Sequence, residues 1–166
     1  MTVRAAAIAG AVVAAAVAAA VAGRLLRPRP SDEESVRRVF ADAARAAEER
    51  RVGAVMEGVS ERFRGEDLDR EGLRRLVAFE TLRGEWRSVV ILGTKVSVEG
   101  ARAEATVDVA LVRGGSGGDK LVDSLPSEAS LKRIDAVLER EGDAWRVVSA
   151  RYRPLDAADA LSGPPP

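Results

Sequence analysis

Cysteine and histidine are both absent from this chain of 166 residues, and each absence removes a class of chemistry. Without them there is no disulfide framework, no thiol nucleophile, no Cys/His zinc site, no serine–histidine triad and no histidine-ligated haem. Net charge is absent too. The 26 basic side chains balance 26 acidic ones, so the positive surplus that a phosphate backbone demands is missing and nucleic acid is not expected as a partner. Aromatics are scarce, at two tryptophans, three phenylalanines and one tyrosine, so an aromatic-lined pocket would rest on very few side chains. No repeat is visible, and the length suits one ordinary domain. No metal or cofactor is expected. The acid pairs Glu33-Glu34 and Glu48-Glu49 lack the carboxylate cage of a calcium site and read as solvated helix charge. Gly114-Gly115-Ser116-Gly117-Gly118 reads as a flexible loop rather than a phosphate cradle, because Asp119 stands where the Walker pattern needs glycine before its lysine.

The charge balance hides a division. Residues 1–30 carry Arg4, Arg24, Arg27 and Arg29 and no acid, which leaves the rest of the chain at a net charge of −4. Between Ala5 and Gly23 there is no charge at all, and nearly every residue is Ala, Val or Ile. A helix of that length covers roughly 28 Å, close to the hydrocarbon thickness of a bilayer, about 30 Å. The segment therefore reads as a membrane helix. An uncleaved anchor is preferred over a signal peptide cut after Ala20-Val21-Ala22, because the apolar run is long for a signal core and Arg24 follows closely. Arg27-Pro28-Arg29-Pro30 is a stiff spacer whose arginines suit anionic headgroups. The short charged start is the export pattern and points the domain outside the cytoplasm. The three arginines after the span favour the opposite orientation, and secretion after cleavage is the third alternative.

The soluble part puts helices first. Ser31 and Glu34 have capping-box spacing. Val36, Val39, Phe40, Ala43 and Ala47 then recur at helical spacing. Val52–Val59 looks like a second, short helix. Asp69 is a candidate cap for a third, with Leu73, Leu76, Val77 and Leu82 on its buried face. Beyond Gly84 the texture changes to β-branched residues through Val98. A Glu99-Gly100 turn follows, and then strict alternation over 101–112, the mark of a half-buried strand. Residues 131–140 and 144–153 form a second hairpin around Glu141-Gly142-Asp143. The Ala/Asp-rich tail 155–166, ending in three prolines, is predicted to be disordered. The layout is thus an anchor with spacer over 1–30, an α+β domain over 31–154 with its helices packed on one face of a curved antiparallel sheet, and a tail.

The run Arg140-Glu141-Gly142-Asp143-Ala144-Trp145-Arg146-Val147-Val148 resembles the last hairpin of nuclear transport factor 2-like (SnoaL-like, ketosteroid-isomerase-like) domains. The long first helix, the Phe-containing loop Val59-Ser60-Glu61-Arg62-Phe63 and the helix at 69–82 match the family order over residues 31–153. The resemblance implies a cystatin-like cone, in which a bent sheet wraps the helices and leaves a pocket at its open end. An open cone would be lined by Phe40, Phe63, Trp86, Trp145 and Tyr152; the alternative for both tryptophans is to cover the core. Enzymes of the family use an Asp or His base with a Tyr or Asp donor, which makes Asp108, Asp135 and Tyr152 the candidates here. The alternative for Asp135 is a solvent-facing position set by simple alternation, and for Tyr152 a rim aromatic with its hydroxyl in water. The leading reading is a membrane-tethered, non-catalytic domain that binds a partner protein or a small apolar ligand. A homodimer through the sheet face would use Val96, Val98, Val107 and Val109. The alternatives are an isomerase- or cyclase-like enzyme with an Asp base, and a purely structural module with a filled core.

Overall fold

The computed structural model describes residues 30–83, 88–112 and 129–164. The apolar segment 5–23, Trp86 and the glycine-rich loop lie outside them. Among the described residues, no helix is long and apolar enough to cross a membrane.

Helix α1 is Asp32–Glu48, α2 Val52–Glu57 and α3 Arg70–Arg83. Three acids in the first turn of α1 complement the positive end of its dipole. Its inward stripe buries Val36 and Ala46 and packs Val39 and Phe40 on the core. Four strands follow: β1 Ser88–Glu99, β2 Arg102–Val112, β3 Ala129–Glu141 and β4 Ala144–Pro154. They form an antiparallel meander in the order β1-β2-β3-β4. Two tight turns join the pairs, with positive φ at Gly100 and at Gly142.

The two edges are managed differently. At the start of β1 the Glu48 carboxylate accepts from Ser88 Oγ at 2.8 Å and from the Val89 N–H at 2.9 Å. Along β4 the loop after α2 pairs with the strand: Val147 N–H donates to Gly58 O, Ser60 N–H to Val147 O, and Arg64 N–H to Val148 O. Both devices occupy backbone groups that an open edge would offer to another chain.

The sheet has an inner face, toward the helices, and an outer one. The core cluster takes Ala103, Ala105, Val107 and Val109 from β2 and Ala136 and Leu138 from β3, against Val36, Met56, Val59 and Phe63. Val96 and Val98 pack on the same cluster. The four valines expected to form a dimer face therefore lie on the helix-covered side. Alternation set which residues share a face, and the helices decided which face is covered.

The tail differs from expectation. Residues 155–164 are ordered. Leu155 is buried and its N–H donates to Leu131 O, continuing the ladder past Pro154. Asp156 then caps a short helix, α4 Ala157–Ser162, by accepting from the Asp159 N–H at 2.8 Å. The segment lies on the outer face: Arg133 donates to Gly163 O at 3.1 Å, and Pro164 sits directly over Gly93. Composition suggested disorder, but a buried Leu155 and a cap at Asp156 hold a segment of low complexity when a surface exists to receive it. The strand β2 records the same event. Its outer-facing residues change from exposed at Glu104 to buried at Asp108, Ala110 and Val112. The half-buried strand predicted over 101–112 is thus covered on both faces in its second half.

Candidate functional site

On the inner face, Phe63 and Trp145 are buried in the core cluster and Phe40 packs against it. The structure brings these three together as packing side chains. Phe63 is carried there by the loop pinned to β4, and Trp145 by the turn at Gly142. The Trp145 ring also lies 4.9 Å beneath the Arg140 guanidinium, which pairs with Asp32 at the start of α1. Tyr152 is not part of the group: it is 64% exposed near the far end of β4.

The three candidate catalytic residues do not converge. Asp108 pairs in register with Arg133, Thr106 with Asp135, and Ile134 with Tyr152. Directly paired residues share a face and successive ones alternate. Asp108 and Asp135 are therefore on the outer face, whereas Tyr152 shares the inner-face register of Ile134. The base–donor arrangement expected in an open cone is not assembled, because Val107 and Val109 take the inward positions on either side of Asp108.

The two carboxylates differ. Asp108 is fully buried, and both its oxygens are held by Arg133, 5% exposed, with Nε to Oδ1 at 2.6 Å and Nη2 to Oδ2 at 2.8 Å. This fork geometry holds the Arg133 guanidinium above its usual range: the hydrogen bond to Asp108 outweighs the burial that opposes charge. Asp135 is half-exposed, accepts from Thr106 Oγ1 at 2.9 Å and lies 3.7 Å from Arg153 Nε.

A second polar cluster sits at the β3–β4 turn. Buried Ser60 donates to Glu141 Oε1 at 2.6 Å and accepts the Arg62 N–H at 3.0 Å. Arg62 reaches Glu139 at 3.1 Å and Glu141 at 3.0 Å. The Ser60 hydrogen bond, aided by Arg62, holds the Glu141 carboxyl below the ordinary glutamate range. These contacts fasten the 58–64 loop to the hairpin.

A wide-open depression of about 440 Å³ is lined by Arg64, Gly65, Asp67, Leu68, Asp69, Gly72 and Arg75. Several of its polar groups are engaged within the fold. Asp69 Oδ1 accepts the Gly72 N–H at 2.8 Å, capping α3, and Arg64 donates to Phe63 O at 2.8 Å. Among the described residues, no group of three acidic side chains is placed to hold a metal. Neither the Arg133 clamp nor the Ser60–Glu141 contact was anticipated. Arg133 had a visible signal in the run Val107-Asp108-Val109-Ala110-Leu111-Val112, which is too apolar for a strand wet on one side.

No family model matches the chain, and no curated protein does. Solved structures do. An NTF2-like protein with a cystatin-like fold from Novosphingobium aromaticivorans is 21% identical, with 86% of this chain and 92% of that one covered at a TM-score of 0.57. A candidate dehydratase of the NTF2-like family from Streptomyces avermitilis is 16% identical, with 76% of this chain and 97% of that one covered, also at 0.57. Bd1075 of Bdellovibrio bacteriovorus is 8% identical over 74% of this chain at 0.56, and there the match spans only 40% of the other protein. The chain has the nuclear transport factor 2-like fold: helices followed by a curved four-stranded antiparallel sheet.

Proposed function

We propose that this chain is a non-catalytic nuclear transport factor 2-like module, held at a membrane by residues 5–23, that acts by binding a partner protein through its outer surface. The observation that carries this reading is the packing of the inner face. Val36, Phe63, Val107 and Leu138 are almost fully buried against one another, which leaves the described part of the cone filled by side chains rather than shaped for a substrate. The placement of the carboxylates supports it. Asp108 is tied on both oxygens to Arg133, and Asp135 lies on the outer face, away from Tyr152. An acid–base mechanism needs a base and a donor within reach of one reacting atom. Filling also favours a protein partner over a small apolar ligand, because a ligand site is a cavity of several hundred Å³ lined by apolar groups.

The tether and the side of the membrane are tested together. The full chain carries a C-terminal reporter active only outside the cytoplasm, and membranes are washed with alkaline carbonate. Retention in the washed membrane with an active reporter is the expected result. A soluble chain contradicts the tether, and a retained chain with a silent reporter places the domain on the cytoplasmic side.

A further inference from the structure

We infer that the outer face of the sheet carries a peptide-docking groove, that the chain's own residues 155–164 are its occupant, and that this segment is a strap able to lift without unfolding the core. The inference is independent of the function proposed above.

The groove is built, not incidental. Its floor is small at two positions where a larger residue would fill it. Ala110 is completely buried on the outer face, and at Gly93, the β1 partner of Asp108, an added Cβ would meet Pro164 Cδ at 2.9 Å. One wall is the Asp108–Arg133 pair. Its orientation is set by the two bonds to Asp108, and the remaining reach of Nη2 goes to the Gly163 carbonyl at 3.1 Å. Leu155 fills the end next to β3. The occupant is shaped to match. Asp156 caps its single helical turn and a half, and Gly163 takes φ 71° and ψ 179°. That region of backbone space is essentially closed to residues with a side chain. Gly163 therefore turns the chain so that its carbonyl meets Arg133 and Pro164 meets Gly93.

The strap is held by contacts separate from those of the inner core. A helix of six residues has no stability of its own. Among the described contacts, it is held by buried Leu155 and its N–H bond to Leu131 O, one hydrogen bond from Arg133 with the Arg133 charge facing Asp159, and the Gly93–Pro164 contact. The inner core shares none of these. Segments with few apolar contacts open at a small fraction of the global free energy. A lifted strap leaves a groove that recognises an apolar residue, a capped turn and a Gly-Pro end, the chemistry of this same segment from a second copy or added as a peptide.

The test uses the full chain in detergent micelles, followed by amide hydrogen exchange. In the wild type, the Asp159 and Ala160 amides are expected to be protected relative to a free peptide of residues 155–166, yet to exchange at least about tenfold faster than those of Val107 and Leu138. Gly93→Val should abolish the strap protection and leave the β2 and β3 amides unchanged. Gly163→Val should release the strap while leaving the groove intact, so a fluorescent peptide of residues 155–166 should bind this variant about tenfold or more tighter than the wild type. It should not bind the Gly93→Val/Gly163→Val double variant. Three results would overturn the inference: strap amides as unprotected as the free peptide, strap and core amides failing together in Gly93→Val, or unaltered protection in that variant. Absence of peptide binding to a released Gly163→Val chain would overturn the docking groove.

Discussion

Arg50 has φ 56°, and among the described residues no other side-chain-bearing residue lies in the left-handed region. It stands just past α1, where the Arg51 N–H donates to Ala46 O and the Arg50 N–H to Ala47 O, the paired bonds of a Schellman ending. That position favours glycine, so Arg50→Gly should raise stability by about 1 kcal/mol, read from urea denaturation. Asp108 and Arg133 behave in the opposite sense. Asp108→Ala strands a buried guanidinium and should cost roughly 3 kcal/mol, whereas Asp108→Leu with Arg133→Met should recover most of that loss, since apolar replacement of a whole buried pair is often neutral. Glu141 gives a pH signature. Its folded pKa is depressed by Ser60 and Arg62. The stability it adds is therefore complete above the ordinary glutamate value near 4.5 and disappears as pH falls through the lower folded value. Denaturation midpoints of Glu141→Gln and the wild type should be separated at neutral pH and converge below pH 4.5. A constant gap would contradict the assignment.

Elements were legible wherever period and punctuation agreed. The apolar stripe Val36–Ala47 and the Glu99-Gly100 and Glu141-Gly142 turns placed α1 and both hairpins near their observed positions. The hairpin turns have their left-handed residue at the first central position, so Gly142→Ala should destabilise by about 1 kcal/mol through backbone strain alone, since the space around it is open. Thermal melting of the single variant checks this. What could not be read was which face of a strand would be covered. Asp108 looked available because alternation places it opposite Val107 and Val109, but alternation does not reveal that a distant segment lies on that opposite side. The strap escaped notice for the same reason: Leu155 and Asp156 sit in a stretch whose composition resembles disorder, and only the receiving surface on β1–β3 makes them order. Tyr152 and Asp135 were adjacent in register but separated by the sheet itself.

At the scale of the whole molecule, the interior of the domain is occupied, among the described residues, by its own side chains. The proposed anchor and the filled core carry separate consequences. Removing residues 5–23 should move the chain out of the membrane fraction and leave the domain's melting temperature unchanged within about 2 °C, since the core residues described all lie C-terminal to Ser31. The inner face of the sheet is packed without a gap among the described core residues. The most direct test of this packing is the methyl NMR spectrum of the full chain in micelles under xenon pressure, because xenon enters dry apolar cavities and leaves packed interiors alone. In a filled core, the methyl signals of Val36, Val107 and Leu138 drift only slightly and linearly with pressure. A saturating shift confined to those methyls would reveal an open cone and contradict it.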